Sequence, residues 1–372
     1  MSQNWGKEEL LSSTPADKHY YQPLFTLVGG GMKKLEESFR PMKEVLPKDA
    51  DWIKESVVSF KPEENKVLTD NGKEISYDFL LIAMGFQLNY NKVKGLPEAF
   101  ETPGVGSNYS PLYVTKTHKA LKEFKGGNAV FTFPNCPIKC AGAPQKIMYI
   151  FEEYQRNNGR KEKTNITYNT GLGVLFSSKY YADVLWEVAK GRNIAVNLRH
   201  DLVEVNSDKR EAIFENLDNP GQLKSLPYDF LHVTPPMSPP DVLKNEKKLV
   251  DEAGFLNLNK ETLQHVTYPN IFGIGDCTNL PTSKTAAAVA GQVGIVGKNL
   301  SKTMDGKSLT AHYDGYTACP LVTGYSTCIM AEFDYTTNPI ETFPFDQRKE
   351  RKSMFLTKRD VLPFVYWNSM LR

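Results

Sequence analysis

Tyr77-Asp78-Phe79-Leu80-Leu81-Ile82-Ala83-Met84-Gly85 is echoed 151 residues later by Tyr228-Asp229-Phe230-Leu231-His232-Val233-Thr234-Pro235-Pro236. Each Tyr-Asp-Phe-Leu follows two strand-like runs joined by a polar turn, residues 57–60 with 66–69 in the first copy and 202–205 with 211–215 in the second. A hairpin meander that feeds a short apolar strand, found twice, predicts two related domains. Ahead of the second copy, Asn165-Ile-Thr-Tyr leads to Thr170-Gly-Leu-Gly173, then to an apolar-periodic run over 180–189, then to Ile194-Ala-Val-Asn-Leu198. Strand, glycine turn, helix and strand read as a βαβ unit. The expected class is α/β: tandem Rossmann-like dinucleotide-binding domains, each a parallel sheet with helices on its faces and an antiparallel meander.

The first copy departs from this pattern. Residues 1–51 contain no strand running into a G-x-G-x-x-G turn. Gly29-Gly30-Gly31 follows Leu24-Phe-Thr-Leu-Val28 and precedes Met32-Lys-Lys-Leu35, without the downstream acid that would hold a ribose. The first domain is therefore expected to lack its opening. A third landmark is Pro269-Asn-Ile-Phe-Gly-Ile-Gly-Asp276, followed by Lys284-Thr-Ala-Ala-Ala-Val-Ala-Gly-Gln292. A strand ending in one acid before a small-residue helix suits a ligand with hydroxyl and phosphate groups, and beside the repeat it favours a flavin. Asp276 as a plain helix N-cap is the competing reading.

Composition excludes several classes. The chain has 372 residues, 40% of them hydrophobic and 24% charged, which fits a folded protein of about two domains. A formal net charge of +2 is too balanced for a protein whose main task is to neutralise phosphates, so no nucleic-acid partner is expected. The apolar stretch 286–297 is short of the ~18 residues of a spanning helix. The first residues, MSQNWGKEELLSST, do not read as a signal or transit peptide. Five cysteines, an odd number in a long chain, argue against a secreted disulfide framework.

Cys136-Pro-Ile-Lys-Cys140 sits between the apolar strand 129–133 and a helix-start pattern, Ala141-Gly-Ala-Pro144. A thiol just ahead of a helix start meets free N–H groups and the positive dipole end, with Lys139 and Lys146 adding charge, so Cys140 is the candidate activated thiolate. Cys319 lies in Tyr316-Thr-Ala-Cys-Pro-Leu-Val-Thr-Gly324, read as a Pro- and Gly-punctuated loop, and pairing with Cys140 in space is open; so is a substitute role for Cys136. A zinc site is not expected: there is one C-x₃-C, and none of the six histidines forms a metal-spaced pair with another. Gly171-Leu-Gly173 has Phe176 where a nucleotide fingerprint has its third glycine, and Arg199 follows the next strand where an acid belongs, which favours a structural turn over nicotinamide binding. The final segment, 352–372, mixes basic with aromatic and aliphatic residues, fit either for a membrane interface or for a helix docked on the core.

Taken together, HYYQP, SYDFLLIAMG, KGLPE, FTFPNCPIKCAGAPQKIMY, HVTPPMSPPDVL, FGIGDCTNLPTSKTAAAVA, CPLVTGY and ETFPFDQ closely resemble the sulfide:quinone oxidoreductases of the eukaryotic mitochondrial type, over residues 19–372. The resemblance implies hydrogen sulfide as substrate, FAD as cofactor, ubiquinone as electron acceptor and glutathione or sulfite as sulfur acceptor. It carries over Cys140 and Cys319 as the redox pair able to hold a bridging sulfur and then a persulfide. For the flavin it carries over Gln22, Val57, Asp276 and Lys284, and Gly85 falls at the same carboxyl ends of strands. It implies a quinone pocket near 333–345, peripheral membrane contact, and a location on the matrix side of the mitochondrial inner membrane. The expected division is 1–104 with 251–313 as the incomplete FAD-binding domain, 105–250 as the second Rossmann-like domain, and 314–372 as the quinone- and membrane-facing segment. The absent glycine-rich opening keeps an alternative in view: a flavin-poor, non-catalytic isoform or paralogue acting as a binding partner. A pyridine-nucleotide-dependent reductase is disfavoured by Phe176 and Arg199.

Overall fold

A computed structural model describes residues 10–371. Its largest sheet has five parallel strands in the order Val105–Gly106, Phe230–His232, Gly127–Phe133, Thr164–Thr170 and Ile194–Leu198. The central strand is apolar on both faces, with Ala129 through Phe133 buried, as a strand covered by helices on either side must be. Helix Ala143–Asn157 covers one face, and Ile147 through Phe151 are all fully buried. Helix Lys179–Gly191 supplies the next crossover, and the meander His200–Asn206, Glu211–Asn216 and Leu223–Pro227 follows.

The βαβ unit read at 165–198 is present, but it is not the first. The sheet's first strand in the chain is Val105–Gly106, and the unit directly before the one read starts at Gly127–Phe133, whose crossover helix is Ala143–Asn157. That strand has neighbours on both sides, Phe230–His232 and Thr164–Thr170, so the chain changes direction in the sheet at its carboxyl end. Ligand crevices of open α/β sheets open at such a point. Here it holds the 134–142 loop with Cys136 and Cys140, and because that loop carries thiols in place of a glycine signature, a search for G-x-G passes over it.

The first domain is thinner. Leu80–Ile82 pairs in parallel with Ile271–Gly273, beside the meander Val57–Lys61, Lys66–Thr69 and Glu74–Ser76 and the helix Ala286–Met304. Leu10–Ser13 runs parallel to Ala50–Ile53 and enters no glycine turn; the next element is the strand Lys18–Tyr20. Gly29 ends the short helix Phe25–Gly29, and a Cβ there would sit 2.1 Å from Asn108 Oδ1, so this glycine serves close packing against the segment that follows strand Val105–Gly106.

Beyond residue 314 the chain forms the hairpin Thr317–Val322 with Cys328–Phe333, laid along helix Ala143–Asn157. Helix Lys352–Leu356 then continues in wide turns to Met370. Its inner side docks on residues 19–23: Tyr366 stacks on Tyr21 at 4.3 Å between ring centroids, and buried Lys358 donates from Nζ to the Pro23 carbonyl at 2.8 Å. Its outer side leaves Val361, Phe364, Val365 and Met370 exposed, so the docked-helix reading describes its inner side. Among the described residues no helix is long and apolar enough to cross a membrane.

Candidate active site

Cys140 lies two residues before Gly142, the N-cap of helix Ala143–Asn157, and Pro144 falls in the helix's first turn, where its missing N–H costs nothing. Its backbone has φ of +53°, a left-handed conformation that a non-glycine residue rarely adopts. Two hydrogen bonds hold it there: its N–H donates to the Lys284 carbonyl at 2.7 Å, and its carbonyl accepts from Ala143 N at 2.8 Å. The hydroxyl of buried Tyr109 adds a longer bond, 3.4 Å, to the same carbonyl. The thiol is thereby turned toward the hairpin.

Cys319, expected in a loop, is on the strand Thr317–Val322 opposite Ala331. Pro320 is tolerated there because a two-stranded hairpin has only edge strands, and the ladder runs on past it to Val322 paired with Cys328. The two Sγ atoms stand 3.8 Å apart, and Lys146 Nζ is 3.3 Å from Cys140 Sγ. Lys146 comes from the second turn of the Cys140 helix and is buried. A hydrogen bond from the Cys319 thiol and then the Lys146 charge hold the Cys140 pKa well below the ordinary thiol value, against burial, which works the other way. Cys319 moves up, because it shares its proton with Cys140 and because it is buried. Burial also disfavours the Lys146 charge, but the sulfur pair outweighs it and raises its pKa. Burial pushes Cys277 up to about 11 and Cys328 up to about 12, and it raises Cys136, so thiolate character concentrates on Cys140.

Lys139 does not serve the thiol. Its Nζ donates to Gln22 Oε1 at 2.7 Å, and burial lowers its pKa to about 8. Lys284 donates to the carbonyls of Thr278 and Leu280 at 2.7 and 3.0 Å, and burial lowers its pKa also to about 8. Between these cations lies Asp276, three residues past the strand Ile271–Gly273. Burial raises its pKa although both lysines pull the other way, and among the described residues its carboxylate makes no hydrogen bond or ion pair. The N-cap of the following helix is Thr285, which accepts from Ala288 N, so Asp276 is not the cap. Gly85, three residues past Leu80–Ile82, has φ of +65° and open space where a Cβ would be. Gln22, Gly85, Cys140, Asp276 and Lys284 are thus gathered at the carboxyl ends of strands from both domains. Val57 is elsewhere: it opens the meander strand Val57–Lys61 and packs on the first domain's core. A partly buried carboxylate without a protein partner, flanked by two lysines and an open glycine turn, fits a ligand that brings hydroxyl and anionic groups together.

No protein-family profile matches the chain. A mouse protein named sulfide:quinone oxidoreductase, mitochondrial, is 56% identical over 372 residues, covering all of this chain and 82% of the mouse protein. The chain belongs to the sulfide:quinone oxidoreductase family. A protein of the same name from Dictyostelium discoideum is 45% identical over 367 residues, covering 98% of this chain and 80% of that protein. The solved structure of the sulfide:quinone oxidoreductase from Aquifex aeolicus superposes with a TM-score of 0.78 at 20% identity, covering 96% of this chain and 85% of that one, and so shows the shared α/β fold.

Within this family fold, the sequence pattern missed two residues at the thiol pair. Lys358 arrives from the C-terminal helix, where burial and the nearby Lys146 charge lower its pKa to about 8. Tyr109 arrives from the segment before helix Val114–Glu123, and burial raises its pKa well above the ordinary phenol value. Neither lies in a motif with the cysteines, and only the fold brings them near.

Proposed function

We propose that this chain oxidises hydrogen sulfide with FAD as cofactor and ubiquinone as electron acceptor, with Cys140 and Cys319 as the working pair. The supporting geometry is the 3.8 Å gap between the two Sγ atoms beside the Lys146 ammonium. The gap is wider than the ~2.05 Å of a direct disulfide and suits one bridging sulfur. Hydrosulfide attacks the Sγ of one bridged cysteine; one S–S bond forms, the bond from that Sγ to the bridging sulfur breaks, and that cysteine carries the incoming sulfur as a persulfide while the other leaves with the bridging sulfur as a persulfide anion. Lys146 stabilises the departing persulfide anion when it is on Cys140, the favoured assignment because Cys140 is the lower-pKa thiol. The persulfide sulfur passes to the thiol of glutathione or to sulfite.

FAD would be held by Gln22, Gly85, Asp276 and Lys284 near the pair and by Val57 at its adenosine end, and when bound supplies the two-electron acceptor that returns the electrons to quinone. Asp276 would accept hydroxyl hydrogen bonds, and Lys139 and Lys284 would face negative charge. In this division residues 1–104 and 251–313 form the flavin domain, 105–250 the domain bearing the thiol loop, and 314–372 the quinone- and membrane-facing part. Phe333 is buried edge-on against Phe176, whereas the stacked Phe343 and Phe345 are part-exposed and are the side chains we assign to the quinone. The mitochondrial inner membrane is the proposed location.

The test is the visible spectrum of the purified chain, mixed with FAD, desalted and titrated anaerobically with sulfide. A retained band near ~450 nm that bleaches is the expected result, and Cys319→Ser should keep the band without bleaching. A folded, colourless protein would overturn the proposal and favour the non-catalytic binding partner.

A further inference from the structure

Helix Ala143–Asn157 touches the Cys319 hairpin at both of its ends. At its start, Gly142 lies under Cys319: a Cβ on Gly142 would come within 2.6 Å of Cys319 Sγ and 2.5 Å of Leu321 Cδ2. At its far end, Glu153 Oε2 accepts a hydrogen bond of 2.7 Å from the backbone N–H of Tyr325, in the hairpin turn. Gly324 makes room for that carboxylate, since a Cβ there would collide with Glu153 Oε2. Arg192 seals the turn from outside by donating to the Thr323 carbonyl and pairing with Glu350 at 2.8 Å.

The lengths agree. The eleven steps from the N-cap Gly142 to Glu153 rise ~16 Å. The six steps from 319 to 325, extended to Val322 and then turning, reach at most ~20 Å, enough to lie along the helix and turn at its end. Cys140 belongs to the helix side and Cys319 to the hairpin side, so any slide of one against the other changes the distance between the two sulfurs.

We propose that Glu153 is a positioning residue: by gripping the Tyr325 amide, it fixes the hairpin along the helix and so sets the Cys140–Cys319 spacing from the opposite end of the site. The inference rests on Cys140 and Cys319 being the working pair, but it concerns thiol geometry and is tested without sulfide, flavin or quinone. Glu153 itself touches no reacting atom. Lys146 moves with Cys140, being on the same helix, so losing the grip withdraws the Cys319 thiol and leaves the lysine in place.

The experiment is alkylation of the full chain by iodoacetamide across pH, with Cys140 followed by peptide mass spectrometry and Cys136 as internal control. Glu153→Ala should move the Cys140 midpoint upward by at least about half a pH unit, because the thiolate loses its hydrogen-bond donor, while the Cys136 profile stays in place. Diamide-driven closure of a Cys140–Cys319 disulfide, in which two thiols lose two protons and two electrons to the diamide, should slow roughly tenfold. Glu153→Gln, which keeps an acceptor oxygen at the same reach, should restore both. A Glu153→Ala protein that melts lower yet shows wild-type Cys140 midpoint and closure rate would overturn the proposal, as would a Glu153→Gln protein as impaired as Glu153→Ala.

Discussion

Cys140 shows how a single side chain acquires its chemistry from three sources. The helix start offers partial positive charge, the hairpin offers the Cys319 thiol as a hydrogen-bond donor, and Lys146 offers a full charge at 3.3 Å. The first was legible in the sequence, because Pro144 and the apolar run beyond it mark the helix start. The second was not, since the 319–324 stretch reads as a loop from its proline and glycine, whereas pairing with Cys328–Phe333 makes it a strand. The sign of the pH effect follows from the depressed pKa. The native chain holds Cys140 as thiolate at pH values where an ordinary thiol, with pKa ~8.5, is still protonated. Its reactivity therefore persists as pH falls through the ordinary range and is lost only below it. Lys146→Met removes the charge while keeping the stem that fills the core, and should move the alkylation midpoint of Cys140 upward by about one unit, cutting the thiolate fraction roughly tenfold at pH values below the wild-type midpoint. Lys146→Arg should recover part of the shift. Identical pH profiles for wild type and Lys146→Met would show that the hydrogen bond from Cys319 suffices alone.

At the scale of elements, the thiol pair is carried by a helix and a hairpin pressed together, and the contact is close enough to exclude one methyl group. Gly142→Ala would place that methyl against Cys319 Sγ and Leu321, both buried. Overpacking of this kind costs about 1–3 kcal/mol, to be read from denaturant midpoints, and should also slow diamide closure of the pair by forcing the hairpin outward. A variant of wild-type stability and closure rate would mean that the hairpin has slack. The repeated Tyr-Asp-Phe-Leu strands and their meanders were readable because short-range alternation and polar turns encode them. The unit that carries the thiol loop was not, because Gly127–Phe133 and helix Ala143–Asn157 are joined by a cysteine loop rather than a glycine turn, and the motif vocabulary of nucleotide sites has no word for that. Lys284 was readable only by resemblance: its backbone carbonyl, not its charge, is what holds Cys140 in its left-handed turn.

The whole molecule joins its thiol site to its surface through the C-terminal helix. Lys358 faces inward toward the pair, while Val361, Phe364 and Val365, spaced to share one helical face, point out. Tyr21, His19 and Pro23 fasten the inner side, His19 bonding to the Tyr366 hydroxyl. The same body therefore presents its exposed apolar stripe on the element that carries Lys358 to the thiol pair, with Lys349 and Lys352 exposed at the base of the helix. The proposed acceptor is dissolved in a bilayer, and an interfacial stripe of this kind would seat the chain on one. Transferring Phe364, 67% exposed, into the acyl boundary is worth about 2 kcal/mol. Phe364→Asp should therefore lower partitioning onto vesicles of mixed zwitterionic and anionic lipid by a factor on the order of 10 or more in sedimentation. The variant's thermal unfolding should be unchanged, because the side chain leaves the protein core untouched, and so should the pH profile of Cys140. Equal sedimentation of wild type and Phe364→Asp would remove this face from the membrane contact, and an altered Cys140 profile would show that the stripe and the thiol pair are mechanically coupled through Lys358 rather than merely adjacent.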